Sequence, residues 1–236
     1  MARQALVISE DCADAWLLLA EEEASTRSER EKYVSKALEA AERALGPEAF
    51  REYHGAFWGF HETRPYMRAR QALAELLAGS GKLEEAIGHW EAMLELNPGD
   101  NQGIRMQLLR AYLERGEQEK AAALFRQYPD DGSCEMVYGR VLHLLATGDE
   151  KAARKALRQA LKINAHVPQF LLGRRQLPKS IPELVTWGGE DEAGVYALNH
   201  LKLWRKTAGA LELLENSAPA NNNRPSAKRR RKGSAT

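Results

Sequence analysis

The chain has 236 residues, 34 Lys and Arg against 33 Asp and Glu, and a formal net charge of +1. A hydrophobic share of 44% beside 28% charged residues allows an ordinary globular core and argues against a wholly disordered or membrane-embedded chain. Two cysteines, Cys12 and Cys134, cannot build a disulfide framework or a four-thiolate zinc site, and no apolar run approaches the ~20 residues of a membrane span.

The near-neutral total conceals an asymmetry. Residues 217–236 carry Arg224, Lys228, Arg229, Arg230, Arg231 and Lys232 and no acid, which leaves −5 for residues 1–216. The first segment, MARQALVISEDCADAW, places acids where a signal peptide has its apolar centre. Together these features predict an intracellular protein with reduced thiols, located in the cytoplasm, the nucleus or both.

In chain order, residues 15–24 and 33–45 read as a first, divergent helix pair, with Ala37, Ala41 and Ala44 on one face of the second helix. TRSEREK (26–32) reads as a connector longer than a tight turn. Residues 46–64, rich in aromatics, predict a short helix wedged between units. Next, Leu73, Ala74 and Leu77 precede Gly81, and Ala86, Trp90, Met93 and Leu94 follow it along one helical face until Asn97-Pro98 ends the helix. The pattern returns 35 residues later: Leu108, Leu109 and Tyr112 precede Gly116, and Ala121 and Phe125 stand where Ala86 and Trp90 stood. A further unit runs from Cys134 through Ala146 to Gly148, with Ala153, Leu157, Ala160 and Leu161 after it. Pro168, Pro178 and Pro182 predict an irregular crossover over residues 168–189. Residues 190–206 and 208–215 then read as helices, with Ala193, Ala197, Leu201 and Trp204 lining one face. From residue 217 the chain has no apolar side chain larger than alanine or proline, so a disordered basic tail is expected.

A glycine-centred helix pair repeating at 35 residues resembles the tetratricopeptide (TPR) repeat. The predicted fold is therefore all-α: a TPR-like α-solenoid of about four helix pairs over residues 1–216, with a C-terminal capping helix and the tail at 217–236. The strings HETRPYMRAR (61–70), ELNPGDNQGIR (95–105), AHVPQFLLGRRQLP (165–178) and GGEDEAGVYALNHLKLWRKTAGALELL (188–214) resemble one TPR-like family. It includes uncharacterised microbial proteins and the suppressor-of-tumorigenicity-seven proteins of animals. That resemblance implies a scaffold without agreed catalytic residues. The animal members are membrane-associated, but this sequence predicts no membrane partner.

Positions along the first helix of each TPR-like unit line a concave groove. They nominate Arg64, Arg68, Gln71, Asn101, Gln102, Arg105 and Arg110 as contacts to a protein or peptide partner. Arginine forks suit the carboxylates of an acidic segment. The alternative is that Arg64 and Arg105 are interior struts pairing with Glu62 or Asp100. His54, His61 and Glu62 lack the HExxH spacing of a zinc site, and no nucleotide-loop or nucleophile motif occurs, so neither a cofactor, a metal nor enzymatic activity is expected. Lys228, Arg229, Arg230, Arg231 and Lys232 fit a nuclear import signal read by an importin-type receptor. Alternatively, the tail contacts nucleic acid while the helical body recruits partners.

Overall fold

The computed structural model describes residues 1–217, and among them there are twelve α-helices and no strand. α1 (Ala2–Ile8) precedes four consecutive helix pairs: α2 (Ala13–Glu22) with α3 (Arg27–Glu52), α4 (Arg64–Gly79) with α5 (Leu83–Leu96), α6 (Ile104–Arg115) with α7 (Gln118–Gln127), and α8 (Cys134–Ala146) with α9 (Glu150–Ile163). The short α10 (Val167–Leu171), then α11 (Glu190–Lys206) and α12 (Ala210–Ser217), complete the described chain.

The helix turns follow from glycine. Gly81, Gly116 and Gly148 all adopt left-handed φ, at 82°, 74° and 83°, a conformation that costs a side chain-bearing residue about 1 kcal/mol or more. Behind each turn the small residue expected at the helix contact is buried: Ala86, Ala121 and Ala153 are all fully covered. Trp90 and Phe125 fill the neighbouring space, so one helix approaches its partner closely and the aromatic ring packs the next layer.

Four segments differ from the sequence expectation. One is the start of the expected crossover, where Pro168 in the first turn opens the short helix α10 over Val167–Leu171. The connector at residues 26–32 is instead the start of α3. Thr26 accepts a hydrogen bond from the Glu29 N–H, and the Glu29 carboxylate accepts in return from the Thr26 N–H, a capping box that starts the helix at Arg27. α3 then runs on to Glu52 through a kink at Gly46, where φ 67° and ψ 167° break the helix and Pro47 restarts it with its preset φ. The wedged segment is thus the end of α3 plus one 3₁₀ turn (Phe57–Gly59), held by an aromatic cluster in which Phe50 meets Phe57 and Tyr66 at centroid distances of 5.2 and 4.9 Å. α1 was not anticipated; Arg3 ties it to the end of α2 through Glu23.

α11 packs against α6, α8 and α10. Tyr196 and Trp204 are fully buried, and the Trp204 indole N–H donates to the Tyr196 hydroxyl at 2.8 Å. A buried polar seam anchors its first turn. The Glu192 carboxylate accepts from the Asn164 side chain at 2.9 Å and from the Gly188 N–H at 2.8 Å, while the Tyr138 hydroxyl donates to the Asn164 carbonyl at 2.5 Å. Burial pushes the neighbouring Cys134 thiol far above its usual range, an effect reinforced by Glu192.

His200, buried on the same helix, shares its Nδ1 with the Tyr196 carbonyl at 2.9 Å, which requires the proton on Nδ1. Burial pushes its pKa down to about 4, and Arg110 adds to the effect. Between that value and the ordinary ~6.5 of a solvated imidazole, the unfolded chain takes up a proton that the folded one refuses. Stability is therefore full above the higher value and falls as the pH drops toward the lower. The expected loss from His200 between pH 7 and pH 5 is on the order of 2 kcal/mol. Urea unfolding at the two pH values should show a smaller difference for His200→Gln than for the native chain; equal differences would place the titration elsewhere.

Candidate functional site

The seven residues nominated as groove contacts lie on or beside α4 and α6, and the structure divides them sharply. Arg64 opens α4 and turns inward, its Nε donating to the Trp58 carbonyl at 3.0 Å with the guanidinium 5.5 Å from the Trp58 ring centre. Its partner is thus the 3₁₀ turn rather than Glu62.

Arg105 is enclosed more tightly. Its guanidinium donates to Asp131 and, at 2.8 Å, to Asp100, and it lies 5.3 Å from the ring centre of Tyr128. Asp100 also accepts from the Ile104 and Arg105 N–H groups at 2.7 and 2.9 Å, satisfying the first turn of α6. Burial opposes ionisation of Asp131, but hydrogen bonds from Ser133 and Arg105 outweigh it and hold the carboxyl below the usual range. The side chain of Arg105 is only 19% exposed, so this ion triad is an interior strut.

Arg68, Gln71 and Gln102 form a more open strip. Arg68 donates from Nε and Nη2 to the Asp14 carboxylate, at 3.0 and 2.6 Å, joining α4 to α2. Gln71 donates to Glu75 at 2.9 Å and accepts from Gln102 at 2.6 Å, joining α4 to the turn before α6. Asn101 is exposed and accepts from the Asn97 side chain at 3.2 Å. Arg110 stands 4.0 Å from Glu114, one turn along α6. It lies close enough to α8 and α11 to ease the raised pKa of Glu135, whose chief cause is burial, and to depress that of His200.

The strip continues into a feature that sequence reasoning missed. Beyond Gln71, α2, α3 and α4 enclose a hollow of about 250 Å³ lined by Leu17, Ala20, Val34, Ala72 and Leu76, with Arg27 and Arg30 and the acids Glu21 and Glu75 also on its wall. Arg30 is occupied by the Ala20 carbonyl at 3.1 Å. Arg27 makes no hydrogen bond or ion pair with another described residue. Its guanidinium lies over Gly79, where a β-carbon would stand 2.7 Å away. Only the juxtaposition of α3 with the last turn of α4 creates this site, and no local motif announces it. A larger hollow of about 550 Å³ lies between α5 and α7. There Glu91 accepts from both Tyr112 and Lys120 at 2.8 Å, so the charges are already paired.

Chemically, a half-free guanidinium beside aliphatic side chains can hold a carboxylate and an apolar side chain together. His54 sits 3.7 Å from Glu95 at the surface, and His61 and Glu62 are exposed. Among the described residues, no three His, Cys, Asp or Glu side chains gather as metal ligands. Lys228, Arg229, Arg230, Arg231 and Lys232 lie outside the described residues. Replacing Arg105 by Ala should cost about 2–3 kcal/mol in chemical denaturation, because Asp100 and Asp131 lose their partner. Arg68→Ala should stay within ~1 kcal/mol, as an exposed pair does. Equal costs at the two positions would contradict the distinction.

Comparison with known proteins gives this architecture relatives. The family model for ST7 protein matches residues 1–130 and 120–223. Protein ST7 homolog of Drosophila melanogaster is 31% identical over 237 residues, covering 90% of this chain and 44% of the relative. Suppressor of tumorigenicity 7 protein-like of Homo sapiens is 30% identical over 240 residues, covering 91% and 41%, and Suppressor of tumorigenicity 7 protein of Macaca fascicularis is 30% identical, covering 86% and 42%. The chain thus spans less than half the length of these curated relatives. No solved structure matches it. Since the family model extends over nearly the whole sequence, as the quoted motifs imply, the chain belongs to the ST7 protein family.

Proposed function

We propose that the protein is a non-catalytic interaction scaffold: a TPR-like α-solenoid that takes a segment of a protein partner along the face of α2, α4 and the start of α6. The reading rests chiefly on one observation, the unpartnered Arg27 on the wall of a hollow lined largely by aliphatic side chains. A carboxylate of the partner, from an acidic side chain or a chain terminus, pairs with Arg27, and a neighbouring aliphatic side chain enters between Leu17, Val34 and Ala72. Arg68, Gln71, Asn101 and Gln102 supply polar contacts along the strip. Arg64 and Arg105 act as struts that hold it in shape, and Arg110 supports α11.

The tail belongs to the same reading. Lys228 to Lys232 serve as an import signal for an importin-type receptor, so the scaffold works in the nucleus as well as the cytoplasm. No cofactor enters the scheme.

A random peptide library displayed on phage, selected on the full chain, tests the groove. Selected peptides should carry an acid or a free C-terminus next to an aliphatic residue. Arg27→Glu should weaken their binding at least ~10-fold, the loss of one charge-assisted contact and its replacement by repulsion. Folding stability should change by no more than ~1 kcal/mol, because an acid in the first turn of α3 gains from the helix dipole what it loses beside the end of α4. Ala72→Leu, which fills the hollow, should weaken the same peptides. Peptides indifferent to both substitutions would overturn the assignment of this face.

A further inference from the structure

Beyond the groove, the two ends of the described chain carry surfaces of opposite chemistry. α9 presents Lys151, Lys155, Arg158 and Lys162, which recur at i, i+4, i+7 and i+11 and so form one row roughly 16 Å long. All four are exposed, and none pairs with an acid among the described residues; the one ion pair on this helix, Arg154 with Glu150 at 3.6 Å, lies beside the row. α9 as a whole has five cations and one acid, a net +4.

An ordered apolar segment meets the end of that row. Every residue of 181–187 is exposed, including Leu184 at 86% and Trp187 at 68%. The segment is pinned to the end of α9: the Asn164 side chain donates to the Gly189 carbonyl at 2.9 Å, and a β-carbon on Gly188 would lie 3.1 Å from the Ile163 carbonyl. Large exposed aliphatic and aromatic side chains next to unpaired cations describe a contact surface rather than a solvated face.

The opposite end is its complement. Residues 1–23 hold six carboxylates, of which Glu23, Asp11 and Asp14 are paired with Arg3, Arg43 and Arg68, so three acids remain free. Glu10, Glu21 and Glu22 are exposed and unpaired among the described residues, and on α1 Val7 and Ile8 are each 87% exposed. We infer that this acidic, apolar end of one copy docks on the α9 row and the 181–187 segment of another copy. The aliphatic side chains of α1 meet Leu184 and Trp187 while the carboxylates face the cation row. Because each surface repels its own kind, like ends do not meet, and a head-to-tail contact that leaves both outer surfaces free repeats from copy to copy.

Sedimentation velocity of the full chain tests this, with Lys228, Arg229, Arg230, Arg231 and Lys232 replaced by Ser in every sample so that the basic tail cannot substitute for α9. Expected is concentration-dependent association up to about 100 μM, the range of modest interfaces, that fades as salt rises and screens the charges. Two variants should each be monomeric: Lys151, Lys155, Arg158 and Lys162 all →Glu, and Glu10, Glu21 and Glu22 all →Lys. Mixed in equal amounts, the native acidic end of one meets the native cation row of the other and the two reversed surfaces are again complementary, so association should return. Leu184→Ser with Trp187→Ser, which leaves the charges in place, should also weaken association. A chain that stays monomeric, or variants that associate as the parent does, would overturn the inference. So would a monomeric parent that binds duplex DNA through the α9 row, measured on the same samples by anisotropy.

Discussion

Three charged groups from three different segments, Asp100, Arg105 and Asp131, fix how the middle of the molecule is assembled. Asp100 belongs to the turn before α6, Arg105 to α6 itself and Asp131 to the loop before α8. A guanidinium this enclosed requires both carboxylates, since an unpaired charge in the same place would be expensive. The triad therefore sets the position of α6 against the following pair and also completes the unsatisfied N–H groups of its first turn. The strip formed by Arg68, Gln71 and Gln102 depends on it, because Gln102 can reach Gln71 only while the start of α6 stays in place.

α11 imposes the second constraint. By packing against both α6 and α8 it covers the face that these helices would otherwise share, and its tyrosine, tryptophan and histidine are buried as thoroughly as any core residue. The helix is thus a permanent part of the assembly. What stays accessible is the opposite half, where α2, α3 and α4 meet around the hollow below Arg27. The buried seam of Glu192, Asn164 and Tyr138 replaces an apolar contact with directional bonds, so the first turn of α11 has one seat.

Much of the helical architecture was legible because it rests on local rules. Gly81, Gly116 and Gly148 mark turns that need left-handed backbone, and the alanines and aromatics after them recur at the same offsets. The boundaries of α8 and α11 could be read from their apolar periodicity and acidic first turn. The start of α3 was also written locally, in Thr26 and Glu29, but TRSEREK reads as a connector longer than a tight turn unless that capping box is recognised. The site was less legible. An arginine on a helix face reads the same whether it meets solvent, as Arg68 partly does, or two buried carboxylates, as Arg105 does; only the fold brings Asp131 within reach. Arg27 was invisible for a related reason, since its significance comes from lying over Gly79, a residue 52 positions away.

Methyl NMR of the full chain, titrated with a peptide selected by display, tests the central claim most directly. Both hollows carry methyl reporters: Leu17, Val34, Ala72 and Leu76 in one, Leu94, Leu108, Ala123 and Leu124 in the other. If the α2–α4 face is the interaction surface, the shifts should concentrate on the first set and leave the second unmoved. Shifts confined to the hollow between α5 and α7 would contradict the account and move the binding face to the other side of the helix pairs.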